Sequence, residues 1–126
     1  MHYTNLMGIA APELSWVPSP TYVLRRAAVL DWLRDYEPGR VLEIGCGPGA
    51  LLRDLAEKGF RGTGVEPSDR SRAIARQLLA DIPAIKVVGN LRGQDKAAYD
   101  YLLAFEVLEH IEDDAGALRN WLKHLK

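Results

Sequence analysis

The stretch Arg40-Val41-Leu42-Glu43-Ile44-Gly45-Cys46-Gly47-Pro48-Gly49-Ala50, residues 40–50, decides how the rest of the chain is read. Its first five residues are a short, mostly apolar run stopped by Gly45, which predicts a buried strand. The glycines at 45, 47 and 49 predict a tight loop. Its backbone can take positive φ and approach a ligand with no Cβ in the way. From Ala50 to Lys58, the side chains of Leu51, Leu52, Leu55 and Ala56 fall on one face, and Gly59 is placed to end a helix. A helix that starts directly after such a loop presents unpaired N–H groups to whatever lies beyond the strand.

Outward from this unit the same alternation continues. Gly62 to Val65 reads as a second strand, and Ser68 caps a helix to about Ala80 with Ile74, Leu78 and Leu79 inward. Ile85 to Val88 is a third strand, residues 90–98 a polar loop, and Tyr101 to Phe105 a fourth strand. Glu112 to Lys126 reads as a final helix with Ala115, Leu118, Leu122 and Leu125 on one face. Asp113 and Asp114 in its first turn and Lys123 and Lys126 in its last suit the helix dipole. On the N-terminal side, Ser19-Pro20 opens a helix that Pro38-Gly39 ends. Its apolar stripe is Val23, Ala27, Leu30 and Leu33, flanked by Leu24 and Ala28. Residues 1–19 lack periodicity and read as an extended arm with at most a short helical turn, ahead of a domain at 20–126. Strands alternating with helices predict parallel pairing with right-handed crossovers, hence an α/β three-layer sandwich. Ligands of such sheets bind beyond the carboxyl ends of the strands, at the switch point.

Composition narrows the function classes. The length of 126 residues fits one domain, with 48% hydrophobic and 26% charged residues, ordinary for a globular fold. Lys and Arg number 16 against 17 Asp and Glu, a net charge of −1, and no basic run is present. Nothing electrostatic then favours nucleic acid or an anionic membrane as partner. Cys46 is the single cysteine and the histidines number three, so neither an internal disulfide nor a Cys/His zinc cluster is expected. That usage fits a reducing cytoplasm. The N-terminus lacks the basic start and apolar run of a signal peptide. No apolar stretch approaches the roughly 20 residues that span a bilayer.

Glu66 ends the second strand, about 20 residues past the loop. A carboxylate there can accept from both hydroxyls of a ribose, so glycine loop plus acid is a nucleoside-binding layout. Gly45-x-Gly47-x-x-Ala50 also satisfies the relaxed dinucleotide fingerprint, which leaves a nicotinamide-dependent oxidoreductase open. A tight turn beside a solvent-facing Glu is the bland alternative.

Three segments carry a sharper resemblance. VLEIGCGPG at 41–49 resembles the first motif of class I S-adenosylmethionine-dependent methyltransferases, and FRGTGVEPSD at 60–69 resembles their second. The stretch from Tyr99 to Lys126, with Val107-Leu108-Glu109-His110-Ile111, is similar to their fourth-strand region and its helix. The acid at Glu43 and the third glycine at Gly49 favour this pattern over a dehydrogenase. The resemblance implies a Rossmann-like sandwich with a mostly parallel sheet, strand order 3-2-1-4 present and strands 5–7 of the usual seven missing. It implies S-adenosyl-L-methionine as cofactor. Glu43, Gly45, Cys46, Gly47 and Gly49 would then form the loop around its methionine part, with Glu66 on the ribose and Pro67 beside the adenine. Asn90, where the family usually places Asp, would meet the adenine amino group through its carbonyl oxygen, and Leu91 would cover the adenine face. Ala104, Phe105 and Glu106 would stand beside the methionine end and the reacting methyl.

His110 and Glu109 are the candidate acid–base groups, His110 being also a side chain that could cap or pack the start of the last helix. Cys46 reads as a small loop residue, and His2 and His124 have no partner at metal-ligand spacing. Tyr3, Leu14, Trp16 and Tyr22 form a sparse apolar set that either covers the site or packs the arm onto the sheet. The expected activity is methyl transfer to a small-molecule acceptor. The alternative is a catalytically incomplete cofactor-binding module or assembly partner. With no fifth strand beside it, the fourth strand is expected to be an open apolar edge, so that copies associate through it or the chain is much less stable than one extended through the missing strands.

Overall fold

The computed structural model describes residues 1–126, and its first departure from the expected outline is at the N-terminus. Residues 1–19 are not an extended arm. His2–Thr4 (β1) and Gly8–Ala10 (β2) pair antiparallel as a hairpin, and Pro12–Leu14 forms a 3₁₀ turn. Strands of three residues are too short to show alternation, so the sequence carries no trace of them. The hairpin is held from outside. Arg26 donates through Nη1 to the carbonyls of Asn5 (2.8 Å) and Leu6 (3.1 Å) and through Nη2 to the Tyr3 hydroxyl (2.9 Å). Ile9 and Ala11 sit in the main hydrophobic core.

Pro20–Leu33 forms α1, with Ser19 Oγ accepting from the Tyr22 amide at 3.1 Å. Its inward face is Tyr22, Arg26, Val29 and Leu33: Leu33 is buried as expected, while Val23, Ala27 and Leu30 each give way to the residue before, and Leu24, Ala27 and Ala28 are exposed. The cause is a polar contact that apolar periodicity could not register. Arg26 and Tyr22 both reach Asp54 on Ala50–Glu57 (α2): Arg26 Nε and Nη2 lie 2.7 and 3.0 Å from its two oxygens, and the Tyr22 hydroxyl at 3.3 Å. Arg26 is 4% exposed and Asp54 1%.

Arg40–Ile44 (β3), Arg61–Val65 (β4), Ile85–Val88 (β5) and Tyr101–Ala104 (β6) form one parallel sheet in the order β5-β4-β3-β6. This is the 3-2-1-4 order the motifs implied. Asp69–Leu78 (α3), capped by Ser68, joins β4 to β5. β3 alternates faces. Val41 packs with α1 and α2 in the main core, while Leu42 and Ile44 join Val65, Tyr99 and Trp121 in a second cluster on the opposite face.

The last helix is shorter than expected, Asp114–Leu122 (α4), and it is turned differently. Trp121 is buried and Ala117 half-buried, while Ala115, Leu118 and Leu122 face out. The large indole takes the place against Tyr99 and Leu42. Beyond α4 the chain pairs with residues preceding β6. Tyr99 and Leu125 form a parallel bridge, Tyr99 N donates to His124 O (2.9 Å), and Lys126 N donates to Tyr99 O (3.0 Å). His124 is 3% exposed, with Nδ1 at 2.8 Å from the Asp95 carbonyl. The start of the fourth-strand segment therefore has an outer partner, which the sequence reading did not expect. β6 itself is the sheet's edge. An apolar cleft of about 290 Å³ runs along it, lined by Ala28, Val29, Trp32 and residues 102–105.

Removing one half of a buried ion pair strands the other charge, which costs about 3–5 kcal/mol. Asp54→Ala is expected to lower the unfolding free energy by about that amount. Asp81→Ala breaks a pair with Arg53 in which Asp81 is 68% exposed, and should cost about 1 kcal/mol or less. Urea unfolding of the two variants checks the contrast.

Candidate functional site

All four β3–β6 strands point their carboxyl ends at one edge of the sheet, and two clefts open there. The larger, about 660 Å³, is lined by Gly45, Glu66, Pro67, Asn90, Leu91, Phe105, Glu106 and His110, with Ile44, Val65, Trp121 and others behind them. The smaller, about 440 Å³, is lined by Glu43, Gly45, Cys46, Gly47, Glu106, Arg25, Trp16, Thr21 and Tyr22 among others. Gly45 and Glu106 belong to both. Between them the clefts have the size of small-molecule sites.

The loop between β3 and α2 owes its path to hydrogen bonds back to β4. Gly45 N and Cys46 N both donate to Val65 O, at 2.7 and 3.1 Å. Gly47 has φ +55, and a Cβ there would meet no atom within 4 Å, so the residue faces open space. At Gly49, φ +81, a Cβ would lie 2.8 Å from Leu79 Cδ1, so this glycine serves the contact of α2 with α3. Glu66 closes the loop from the other side. Its Oε1 accepts from Gly47 N (3.0 Å) and its Oε2 from Ser68 N (2.8 Å). Each carboxylate oxygen keeps a lone pair for a further donor.

Glu43 is the electrostatic anomaly of the site. It is 5% exposed, and its Oε1 is buried with no hydrogen-bond partner. Burial raises its carboxyl to a pKa of about 8; the nearby Arg25 charge opposes this and Glu66 adds to it. A buried, unpartnered carboxyl oxygen costs stability unless something donates to it. Arg25 was not singled out by sequence because the expected stripe left it on the solvent side of α1. It pairs with Glu106 at 3.1 Å and lies over the Phe105 ring, 5.6 Å from its centroid. Glu106 holds φ +54, a left-handed conformation uncommon outside glycine.

The remaining expected residues fall as follows. Asn90 follows β5 in the larger cleft, and its Oδ1 accepts from Arg92 N at 2.9 Å. His110 is in a 3₁₀ turn, Leu108–His110, 76% exposed, with Nε2 at 3.7 Å from Glu109 Oε1. It does not cap the last helix; Asp113 does, accepting from Gly116 N at 3.0 Å. Cys46 is buried, and burial pushes its thiol pKa upward, which makes it a poor nucleophile. Ala104 and Gly49 line neither cleft, and Ala104 faces the apolar cleft along β6. Trp16 lines the smaller cleft, with Nε1 donating to Ile9 O (3.1 Å) and its ring edge-to-face with Tyr22. It is therefore part of the cleft wall and of the arm's packing at once. No group of His, Cys, Asp and Glu is arranged to hold a metal ion, and no helix is long and apolar enough to cross a membrane.

A parallel sheet with a glycine loop and an acid at adjacent strand ends defines a nucleoside-binding α/β domain, and comparison with known proteins is more specific. The methyltransferase domain family matches residues 20–126. The ubiquinone biosynthesis O-methyltransferase of Methylocella silvestris is 38% identical over 92 residues, covering 68% of this chain and 35% of that protein. The corresponding protein of Paracidovorax citrulli is 32% identical over 100 residues, covering 75% and 42%. The chain thus spans roughly two fifths of the length of the curated relatives it matches. Among solved structures, phosphoethanolamine N-methyltransferase 2 of Haemonchus contortus in complex with S-adenosyl-L-methionine superposes with a TM-score of 0.72. It is 24% identical, over 82% of this chain and 26% of that one. Magnesium protoporphyrin IX methyltransferase of Synechocystis gives 0.70 at 22% identity, over 82% and 54%. These two establish likeness of fold. The chain belongs to the methyltransferase domain family, as its three motif segments implied.

Glu43 gives the site a pH signature. Its folded pKa of about 8 lies above the ordinary 4.5, so between those values the folded chain binds more protons than the unfolded one. Stability contributed by this group therefore falls as pH rises from about 4.5 to about 8. Glu43→Gln cannot ionise, and its stability relative to the parent should rise across that window. Thermal melts from pH 5 to 8 check the sign.

Proposed function

We propose that this chain is the cofactor-binding part of an S-adenosylmethionine-dependent methyltransferase acting on a small-molecule acceptor. The observation that carries the reading is the pair of clefts meeting at Gly45 and Glu106. Glu66 lies in one and the unpartnered oxygen of Glu43 in the other. The residues fit a ligand with a nucleoside at one end and an amino acid at the other. Glu66 has lone pairs left for two ribose hydroxyls, Pro67 and Leu91 flank a flat base, and Asn90 offers an amide at its edge. The open space at Gly47 admits the chain between the two ends. Arg25 suits a carboxylate and Glu43 a cationic amine.

When bound, the cofactor supplies a methyl group on a sulfonium, which leaves as a neutral thioether. The protein's part is chiefly alignment, an effect worth about 7–11 kcal/mol at best. A base is needed only where the acceptor must lose a proton early. His110, which lines the larger cleft with Glu109 3.7 Å from its Nε2, would accept it from a hydroxyl. The names of the curated relatives, O-methyltransferases of ubiquinone biosynthesis, support an oxygen acceptor on a small molecule.

A module that binds the cofactor without turnover, or assembles with a partner, is the second reading, and the open edge of β6 favours it. Calorimetric titration with S-adenosylmethionine, S-adenosylhomocysteine and NAD separates the readings. Selective binding of NAD overturns the proposal, and cofactor binding with no methylation across a broad acceptor panel favours the second reading. Glu66→Ala should weaken cofactor binding at least tenfold with the fold retained, since it removes charge-assisted bonds worth about 1.5–3 kcal/mol each. Gly47→Val should abolish binding while most helical signal remains. The β6 edge is expected to make the 126-residue chain self-associate, read by sedimentation across a concentration series. A strict monomer would mean that residues 124–126 and α1 cover it sufficiently.

A further inference from the structure

We propose that Arg72, which lines neither cleft, is a positioning residue that fixes the separation of the two turns meeting the nucleoside; this rests on the cofactor reading of Glu66 and Asn90 above. The β4–β5 ladder ends at Val65 paired with Val88, and its last rung is Glu66 N to Val88 O at 2.9 Å. Beyond that rung the strands give no further hold, yet the residues read as ribose and adenine contacts all lie there. Arg72, on α3 with its side chain 19% exposed, reaches into this gap. Its Nη1 donates to the carbonyl of Glu66 (3.0 Å) and to that of Pro67 (3.2 Å), and its Nη2 pairs with Asp69. On the other side the same guanidinium lies against Gly89, where an added Cβ would come within 3.1 Å of Nη1.

One planar cation therefore ties the backbone that carries Glu66 by hydrogen bonds and packs against Gly89, the residue before Asn90. One helical turn on, Arg76 holds Val87 O at 3.1 Å, so α3 grips both strand ends. The guanidinium fork suits this task and an ammonium does not, because two carbonyls and a carboxylate are served by two nitrogens of one rigid group. The Glu66 carboxylate is already tied to Gly47 N and Ser68 N. Arg72 adds control of its main chain, and a diol accepted by two oxygens tolerates only about 0.5 Å of misplacement.

The test is a titration of S-adenosylhomocysteine and its 2′-deoxy analogue into the 126-residue chain and its variants. In the parent, loss of the 2′-hydroxyl should weaken binding at least tenfold. In Arg72→Met that ratio should shrink to about threefold or less, with S-adenosylhomocysteine itself bound about tenfold more weakly. Arg72→Lys keeps the charge without the fork, should show the same collapse, and carries the test if the Met variant does not fold. Asp81→Ala, which breaks the ion pair with Arg53 just beyond α3, should retain the parent ratio. An Arg72 variant with the parent ratio overturns the proposal, as does an equal collapse in Asp81→Ala, which would mean general loosening. A parent chain that does not bind S-adenosylhomocysteine, or ignores the 2′-hydroxyl, sinks the cofactor reading of Glu66 itself and the proposal with it.

Discussion

β3 is hydrogen-bonded in parallel on both sides, along Arg40–Ile44 to β4 and along Val41–Ile44 to β6. Parallel neighbours cannot be joined by a tight turn, so each connection must cross the sheet and return, and every strand ends at the same edge. That requirement gathers Gly45–Pro48, Glu66, Asn90 and Phe105–Glu106, residues scattered over some sixty positions of chain, into one pair of adjoining clefts. The glycine loop can turn within the gap because its first two amides are taken by Val65 O, the last carbonyl of the neighbouring strand. The sheet thus sets the floor of the site, and Arg25 of α1, His110 and Trp121 of α4 complete its walls.

Two buried carboxylates show how the chain separates structure from function. Asp54 is partnered at both oxygens, by Nε and Nη2 of Arg26 and by the Tyr22 hydroxyl. Its charge is consumed inside the protein and used to hold the N-terminal hairpin against α1 and α2. Glu43, equally buried, has an oxygen with no donor and a carboxyl raised to about 8. A group left in that state costs stability, and such costs concentrate where a ligand completes the contacts. The arginines divide in the same way. Arg26, Arg72 and Arg76 grip backbone carbonyls, while Arg25 faces a cleft with only an exposed Glu106 as partner.

The parallel core, the loop and Glu66 were legible because they rest on local chemistry, while the strand order came only with the family resemblance. Short apolar runs stopped by glycine, serine caps at 19 and 68, and an acid directly after a strand each leave their mark within a few residues. The family resemblance followed from the same residues. What the sequence could not convey was set by contacts between distant positions. The Arg26–Asp54 pair, 28 residues apart, rotated α1 by one position and folded the first residues into a hairpin. Trp121 displaced Leu118 and Leu122 from the inward face of α4, because the space beside Tyr99 suits an indole. Arg25 and Arg72 lie off the apolar stripes of their helices and drew no attention in the sequence. Periodicity reports which face is apolar, and it is silent about polar groups that bury themselves by pairing. Sequence alone therefore determined the class of fold and the loop and acid that mark its ligand edge. Only the tertiary structure decided which helix faces turn inward, which charges are spent in holding the frame, and which remain open to a ligand.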